Sequence, residues 1–184
     1  EYTASTVHRP RTVDEVQELV ARTPRIRALG SRHSFSGMAD SAELVSLDAL
    51  SPDIRIDSDT ETVSFNAGLR YGDLGTALQA QGWALRNLAS LPHISVAGAI
   101  ATGTHGSGDR NGTLSRAVAG LELVTASGEL VTIGPIDEAF DGAVVSLGAL
   151  GIVTRVTLDI EPTFDVRQDV YEGLTWTRLI ENFD

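Results

Sequence analysis

Apolar residues near the N-terminus recur at helical spacing and predict a first helix. Its apolar positions are Val13, Val16, Leu19 and Val20, which fall on one face of a helix. Thr12 and Glu15 precede this face with the spacing of a capping box, in which each side chain accepts from the backbone N–H of the other. We expect the helix to end at Arg22-Thr23-Pro24, because proline does not continue a helix.

Period-two alternation of apolar residues predicts short strands along the rest of the chain. The predicted strands are 25–29, 44–47, 54–56, 62–67, 151–160 and 164–173. Pro162 stops the fifth of them, and residues 121–133 predict a hairpin about Ser127-Gly128. Helical patterns cover 71–81, which ends at Gly82, and 138–147.

This mixture of elements predicts the α+β class. Strands outnumber helices, several of them pair in hairpins, and the order is not a strict alternation of strand and helix. A last amphipathic pattern starts at Trp176 and is still incomplete at Asp184. We therefore expect the chain to be part of a longer protein, with an exposed apolar face around Trp176 and Ile180.

Composition narrows the possible partners. The 184 residues carry a net charge of −11, and all 14 basic residues are arginine. An acidic protein repels polyanions, so we expect no nucleic-acid partner. No segment has membrane-spanning length and no signal pattern is present, so we expect no membrane partner and a cytoplasmic location. Without cysteine there is no thiolate nucleophile and no disulfide.

Three glycine-rich segments, 28–34, 89–108 and 146–154, carry most of the candidate chemistry. The turn after Gly30 can form either a plain loop or a concave anion site made of successive N–H groups. The second segment has neither the Rossmann nor the Walker glycine pattern, and suits either a tightly packed element or a ligand cradle. The third, taken alone, is a turn that enters a strand.

The histidines are candidate chemical groups with no metal-binding spacing. His33 lies in the first glycine-rich turn, where the residues around it assign it no role. His93 and His105 lie in the second segment, and each taken singly is typical of a core histidine bonded to backbone. No pair has the HxxxH spacing of zinc ligands, so we expect no metal site.

Taken in order, the three segments identify a family. The runs LGSRHSFSGMA, NLASLPHISVAGAIATGTHGSG and SLGALGIVTRVTL strongly resemble the FAD-binding domain of the vanillyl-alcohol-oxidase flavoprotein superfamily, in its branch of sugar-alcohol and aldonolactone oxidases. The resemblance covers essentially the whole chain, so we expect residues 1–184 to form one FAD-binding domain. It implies two α+β subdomains that grip an extended FAD between them.

The resemblance also implies roles for particular residues. The pyrophosphate cradle would be formed by Ala28, Leu29, Gly30, Ser31, Arg32, His33 and Ser34. The segment along the ribityl chain and the flavin ring would be formed by Ser90, Ser95, Gly98, Thr102, Gly103, Thr104 and His105. Val153 would lie in the strand whose backbone meets the adenine end, and Ser90 would also touch the substrate.

By the same resemblance, His33 is expected to bond covalently to the 8α-methyl carbon of the flavin. A neutral imidazole nitrogen is a competent nucleophile for this bond. The bond would withdraw electron density and raise the flavin's redox potential. The absence of cysteine excludes the doubly linked histidine-plus-cysteine form of the family.

The implied activity is oxidation of CH–OH groups of sugar alcohols by FAD, with O₂ as electron acceptor. An aldonolactone oxidase or dehydrogenase, acting on a gulono- or arabinono-lactone, is one alternative. A flavin-binding module without catalysis is another. The family's substrate domain, expected beyond Asp184, would supply most of the contacts to the polyol or lactone.

Overall fold

The computed structural model describes residues 2–108 and 110–183. Its strands are β1 (Thr6–His8), β2 (Ile26–Ala28), β3 (Glu43–Val45), β4 (Arg55–Asp57), β5 (Thr62–Asn66), β6 (Trp83–Ala84), β7 (Val118–Val124), β8 (Leu130–Ile133), β9 (Ile152–Asp159) and β10 (Glu161–Pro162). Its helices are α1 (Val13–Arg22), α2 (Tyr71–Gln79), α3 (Val96–Ala101), α4 (Phe140–Val144) and α5 (Trp176–Glu181). This mixture confirms the predicted α+β class.

The strands form two main sheets of different kinds. A parallel sheet of three strands has the order β1-β3-β2. An antiparallel sheet of five strands has the order β4-β5-β9-β7-β8, in which β7 and β8 are the predicted hairpin. A third pairing joins β10 to β6. The central strand β9 pairs with β5 on one side and with β7 on the other.

The buried core connects both main sheets. On β9, Ile152, Val156 and Leu158 face inward at every second position and are buried. They belong to one apolar cluster with Phe65 of β5 and Val45 of β3. The helix α1 adds its buried face to the same cluster, so the predicted helical stripe packs inward.

The first helix begins as its sequence predicts, with one difference at the cap. Thr12 Oγ1 accepts from the backbone N–H of Glu15 at 3.2 Å. The Glu15 carboxylate reaches back one residue further than a standard capping box, and it accepts from the N–H of Arg11 at 2.6 Å. Two N–H groups at this helix end are therefore satisfied by side chains.

Three predictions about the second half of the chain need correction. The helix predicted at 138–147 is shorter and spans Phe140–Val144. Pro162 does not simply stop a strand, because it lies in β10 and pairs with Trp83. Residues 164–173, predicted as a strand, form neither strand nor helix.

The predicted C-terminal helix is present as α5, and its apolar residues are exposed. Trp176 keeps 79% of its surface accessible and Ile180 keeps 76%. Thr175 caps this helix by accepting from the N–H of Arg178. The exposure expected from the sequence is therefore confirmed.

Glycine in the middle of α2 offers a test of the helix assignment. We expect Gly75→Ala to raise the free energy of unfolding by about 0.5–1 kcal/mol, because alanine loses less backbone entropy in a helix. A Cβ at Gly75 meets no atom within 4 Å. Urea unfolding of the full-length protein measures the change.

The matched control is Gly72→Ala in the same helix. There a Cβ would lie 3.1 Å from the carbonyl oxygen and 3.2 Å from the Cβ of Pro92. We expect this crowding to cancel the gain. Equal stabilisation by both substitutions would contradict the packing of α2 against Pro92.

Candidate functional site

The first glycine-rich segment follows β2 and leaves a row of backbone donors free. Leu29 still donates to the carbonyl of Val45 at 2.8 Å, after which the chain leaves the sheet. From Gly30 to Ser34, no backbone N–H donates a hydrogen bond within the described ranges. Arg32 has a left-handed φ of 64°. A turn with several free N–H groups suits an anion.

Ser95 joins this loop to the second segment. Its N–H donates to Ser31 Oγ at 3.0 Å. Its own side chain is almost fully buried and lies between two glycines. A Cβ at Gly30 would lie 2.7 Å from Ser95 Oγ, and a Cβ at Gly98 would lie 2.6 Å from the same atom. Glycine at position 30 therefore lets the loop approach the start of α3 closely, and glycine at position 98 leaves room for the Ser95 hydroxyl over the first turn of α3.

The second segment is held by α2 and by its own hydroxyl groups. The N-terminal turn of α2 donates from Gly72 to the carbonyl of Pro92 at 2.7 Å and from Tyr71 to that of Ile94 at 3.1 Å. Tyr71 is buried, and burial raises the pKa of its phenol above the ordinary value. At the other end of α3, Thr102 Oγ1 donates to Gly98 at 3.1 Å.

The residues after α3 turn back across the segment. Gly103 has φ 63°, and Thr104 donates from its N–H to the carbonyl of Ala99 at 3.0 Å. The carbonyl of Thr104 accepts from the N–H of Leu114 at 2.8 Å. A Cβ at Gly106 would lie 2.7 Å from the carbonyl oxygen of Leu88, so this glycine allows the turn to contact the stretch that carries Ser90.

The predicted roles of His93 and His105 as core histidines are wrong, because both side chains are exposed. His105 Nδ1 does contact a backbone carbonyl, that of Gly106 at 3.0 Å. His93 instead contacts His33, with 3.2 Å between the two Nε2 atoms and 4.9 Å between the ring centroids. Two histidines 60 residues apart in sequence therefore meet at the loop.

The third segment contacts the second segment and the strand that leads into the first. Arg27 of β2 donates from Nη1 to the carbonyl of Leu147 at 3.4 Å. Leu147 donates from its N–H to the carbonyl of Ala101, at the end of α3, at 3.1 Å. Leu147 also has a left-handed φ of 55°, which costs a non-glycine residue about 1 kcal/mol. The chain keeps this conformation where the third segment meets the end of α3.

Three of the predicted site residues surround a fourth, Ser95, and the others lie in the first loop, after α3, at Ser90 and in β9. Gly30 and Ser31 lie against Ser95, and so does Gly98. His33 instead contacts His93. Ala28, Leu29, Arg32 and Ser34 continue the first loop, while Thr102, Gly103, Thr104 and His105 follow α3. Ser90 is exposed near the start of the second segment, and Val153 is half-buried in β9 opposite Leu123.

The turn ahead of Val153 borders a cleft of about 280 Å³. Its other walls come from the end of α1 and the start of β2.

Sequence reasoning missed Arg27 and Leu147, which link the segments, and the contact of His93 with His33. Local sequence carries no signal for these contacts, because each joins residues far apart in the chain.

The donors gathered here suit an extended, negatively charged ligand with a flat ring. Free N–H groups and the exposed cation of Arg32 can neutralise a phosphate, and glycine and hydroxyl side chains leave room for close contact. Within the described ranges, no three His, Asp or Glu side chains are placed to hold a metal ion. The donor set therefore fits FAD.

These features agree with a family comparison. The chain belongs to the family of FAD-binding domains, whose model matches residues 4–134. It is 49% identical to an alditol oxidase from Streptomyces sp. over 94% of its own length and 43% of the relative's. It is 38% identical to a putative D-arabinono-1,4-lactone oxidase from Neurospora crassa, over 94% and 31%. It is 35% identical to an L-gulono-1,4-lactone dehydrogenase from Mycobacterium tuberculosis, over 98% and 44%.

The chain spans less than half the length of each of these relatives. The matched family region contains the first two glycine-rich segments and ends before the third. No helix in the described part of the chain combines the length and apolar character needed to cross a membrane.

Proposed function

We propose that this domain is the cofactor-binding part of an FAD-dependent oxidoreductase that oxidises CH–OH groups of sugar alcohols, with O₂ as electron acceptor. The contacts that join the second glycine-rich segment to the other two, Ser95 with Ser31 and Ala101 with Leu147, carry this proposal. The 49% identity to an alditol oxidase supports the choice of substrate class. A cytoplasmic location remains a prediction.

In this proposal the FAD lies along the three segments. Backbone N–H groups of residues 30–34 and Arg32 hold the pyrophosphate, and Ser95, Gly98 and the 102–105 turn line the ribityl chain and ring. Val153 and its neighbours face the adenine end. The chemistry that bound FAD supplies is acceptance of a hydride from the alcohol carbon and return of the electron pair to O₂ as H₂O₂. The two main sheets would form the two subdomains that enclose the cofactor.

Within this site, His33 attaches the flavin covalently and Ser90 contacts the substrate. His33 is exposed at the edge of the loop, where a cofactor can reach its imidazole ring. Ser90 is exposed in the stretch held near Gly106, where its hydroxyl can donate to or accept from a substrate hydroxyl. The remaining substrate contacts belong to a region equivalent to the rest of the longer relatives.

A second candidate activity is oxidation or dehydrogenation of an aldonolactone. Relatives named as D-arabinono-1,4-lactone oxidase and L-gulono-1,4-lactone dehydrogenase favour it, since they match nearly the whole chain. Both candidates use the same flavin cradle. They differ in the substrate and, for a dehydrogenase, in the electron acceptor.

A substrate panel separates these candidates. We expect the full-length protein, loaded with FAD, to produce H₂O₂ from xylitol and sorbitol, and much less from gulono- or arabinono-lactone. A peroxidase-coupled assay measures the peroxide, and a dye acceptor under nitrogen measures dehydrogenase turnover in parallel.

The panel also gives the results that would contradict the proposal. Turnover of lactones alone would replace the polyol assignment with the lactone one. Reduction of the dye without formation of H₂O₂ would show that O₂ is not the electron acceptor. Bound flavin that is reduced by no member of either substrate class would support a non-catalytic flavin-binding module.

A further inference from the structure

The stretch that carries Ser90 has little apolar packing to fix its position. Leu85 and Ile94 are buried at its two ends. Between them, in the described part of the chain, only the small side chain of Ala89 packs against the core, while the two intervening leucines are exposed. Burial of a single methyl group contributes little, so other contacts have to hold Ser90 in place.

Backbone hydrogen bonds do not supply what the packing lacks. Within residues 2–108 and 110–183, no hydrogen bond joins the backbone of residues 86–90 to another backbone group. Two side chains make contacts instead. Arg86 Nε donates to Glu161 at 3.0 Å, and Asn87 Nδ2 donates to the carbonyl of Gly112 at 3.1 Å. Arg86 is mostly exposed, and a solvent-exposed ion pair contributes little, so the amide of Asn87 is the main polar tie of this stretch.

The amide of Asn87 contacts both arms of the turn formed by residues 104–113. The carbonyl of Gly112 can only accept, so the nitrogen of the amide has to face it. The amide oxygen then faces Gly106, where an added Cβ would lie 2.7 Å from Asn87 Oδ1 and 2.7 Å from the carbonyl oxygen of Leu88. The half-buried side chain of Asn87 therefore fits between the outgoing and the returning arm of the turn.

The turn is itself a well-held partner. The N–H of Leu114, which is buried, donates to the carbonyl of Thr104 at 2.8 Å. His105 and Thr113 pair across the turn as an antiparallel bridge. Through these contacts the position of the turn is fixed relative to the end of α3. Asn87 transfers that position to the stretch that carries Ser90.

We propose that Asn87 is a positioning residue, whose amide holds the hydroxyl of Ser90 where it meets a hydroxyl group of the substrate. This inference rests on the substrate contact proposed for Ser90. Asn87 acts without touching the substrate, because its amide faces Gly106 and Gly112. Ser90 is exposed, and its direction depends on the backbone that Asn87 ties to the turn.

The test measures KM and kcat of the full-length, FAD-loaded protein with xylitol in the peroxidase-coupled assay. We expect Asn87→Ala to raise KM by about 5- to 10-fold with little change in kcat, the effect of losing one neutral hydrogen bond to the substrate. The affinity of the dithionite-reduced protein for xylitol, measured by calorimetry under nitrogen without turnover, should fall by the same factor. The flavin content should equal that of the wild type.

A double-variant cycle shows whether Asn87 acts through Ser90. Ser90→Ala alone should raise KM for xylitol by a similar factor. In the Ser90→Ala background, Asn87→Ala should add less than about 2-fold, because the hydroxyl that it positions is already absent. A purely structural role of Asn87 would add its full effect in both backgrounds.

Two further variants disturb the same contact without deleting the side chain of Asn87. In Asn87→Asp the carboxylate cannot donate to the carbonyl of Gly112. In Gly106→Ala the added methyl group presses on Asn87 Oδ1. Both should raise KM as Asn87→Ala does. Arg86→Gln, which loses the exposed pair with Glu161, is the matched control in the same stretch and should keep the wild-type KM.

Wild-type KM in both Asn87→Ala and Asn87→Asp would overturn the inference, and so would additive effects of Asn87→Ala and Ser90→Ala. In either case an impaired Ser90→Ala variant would leave the proposed substrate contact standing. Wild-type kinetics in Ser90→Ala would overturn that contact and the role of Asn87 together. A wild-type protein that does not oxidise xylitol would overturn the polyol assignment, and the inference with it.

Discussion

Acid precipitation of His33→Ala should leave a colourless protein pellet and a yellow supernatant. The full-length wild-type protein should instead keep its flavin absorbance in the pellet. The physical reason is that His33 is the exposed imidazole in the loop of free N–H groups, and the chain has no cysteine that could form an alternative link. The covalent fraction is thus expected to fall from nearly complete to zero, the largest effect of any single substitution considered.

The variant should still bind FAD without the bond. Free N–H groups of residues 30–34 are backbone groups, and they do not depend on the side chain that is removed. The redox potential of the bound flavin should fall in the variant, because the bond no longer withdraws electron density. Spectroelectrochemical titration of both proteins measures this shift.

The control has to exclude His93 as a substitute nucleophile. Its Nε2 lies 3.2 Å from that of His33, so its imidazole is also close enough to reach the cofactor. Mass spectrometry of the flavin-bearing peptide from the wild type identifies the attachment residue directly. Flavin on a peptide containing His93, or colour retained in the His33→Ala pellet, would refute the assignment to His33.

The elements that the sequence predicted well are those whose signals are local. The cap of α1 depends on Thr12 and Glu15, three residues apart, and the β7–β8 hairpin depends on Gly128 with its left-handed φ of 82°. Both signals lie within a few residues of the element they define. The helix α2 likewise ends before Gly82, which also has a positive φ.

The prediction errors lie at positions whose conformation depends on residues distant in the sequence. Residues 164–173 alternate apolar and polar side chains, yet they form no strand in the structure, and alternation without a neighbouring strand cannot hold an extended chain. Pro162 is paired in β10 because Trp83 lies opposite, and nothing near Pro162 in the sequence indicates this partner. Proline is tolerated there at the end of a short edge pairing.

In the candidate site, too, the local patterns were predicted and the long-range contacts were not. Glycine and hydroxyl residues marked the three segments, and the family resemblance assigned them to one cofactor. The contacts that bring them together are long-range, such as Arg27 with Leu147, 120 residues apart, and Ser31 with Ser95, 64 apart. The pairing of His33 with His93 was not predicted for this reason, although both residues had been singled out.

Gly151→Ala should destabilise the fold and weaken FAD binding together. A Cβ at this position would overlap the carbonyl oxygen of Val124 and press on Leu123, both on the neighbouring strand β7. A backbone carbonyl in a sheet cannot rotate away as a side chain can, so β9 has to shift. We expect a loss of about 3 kcal/mol in the free energy of unfolding, at the upper end for overpacking, and a fall in Tm of roughly 10 °C.

The effect on the cofactor follows from the place of Gly151 in the third segment. It lies between Leu147, which bonds to Ala101 at the end of α3, and Val153, which is proposed to meet the adenine end. Movement of β9 therefore separates the third segment from the second. Calorimetry of the apoprotein and fluorescence titration with FAD measure the two effects separately.

Gly134→Ala is the matched control, since a Cβ there meets no atom within 4 Å. It should change stability by no more than about 0.5 kcal/mol and leave FAD affinity intact. If Gly151→Ala matched this control in both measurements, the close packing of β9 on β7 would be wrong. If it lost stability but kept full affinity for FAD, the third segment would have no part in holding the cofactor, and the adenine end would have to lie elsewhere.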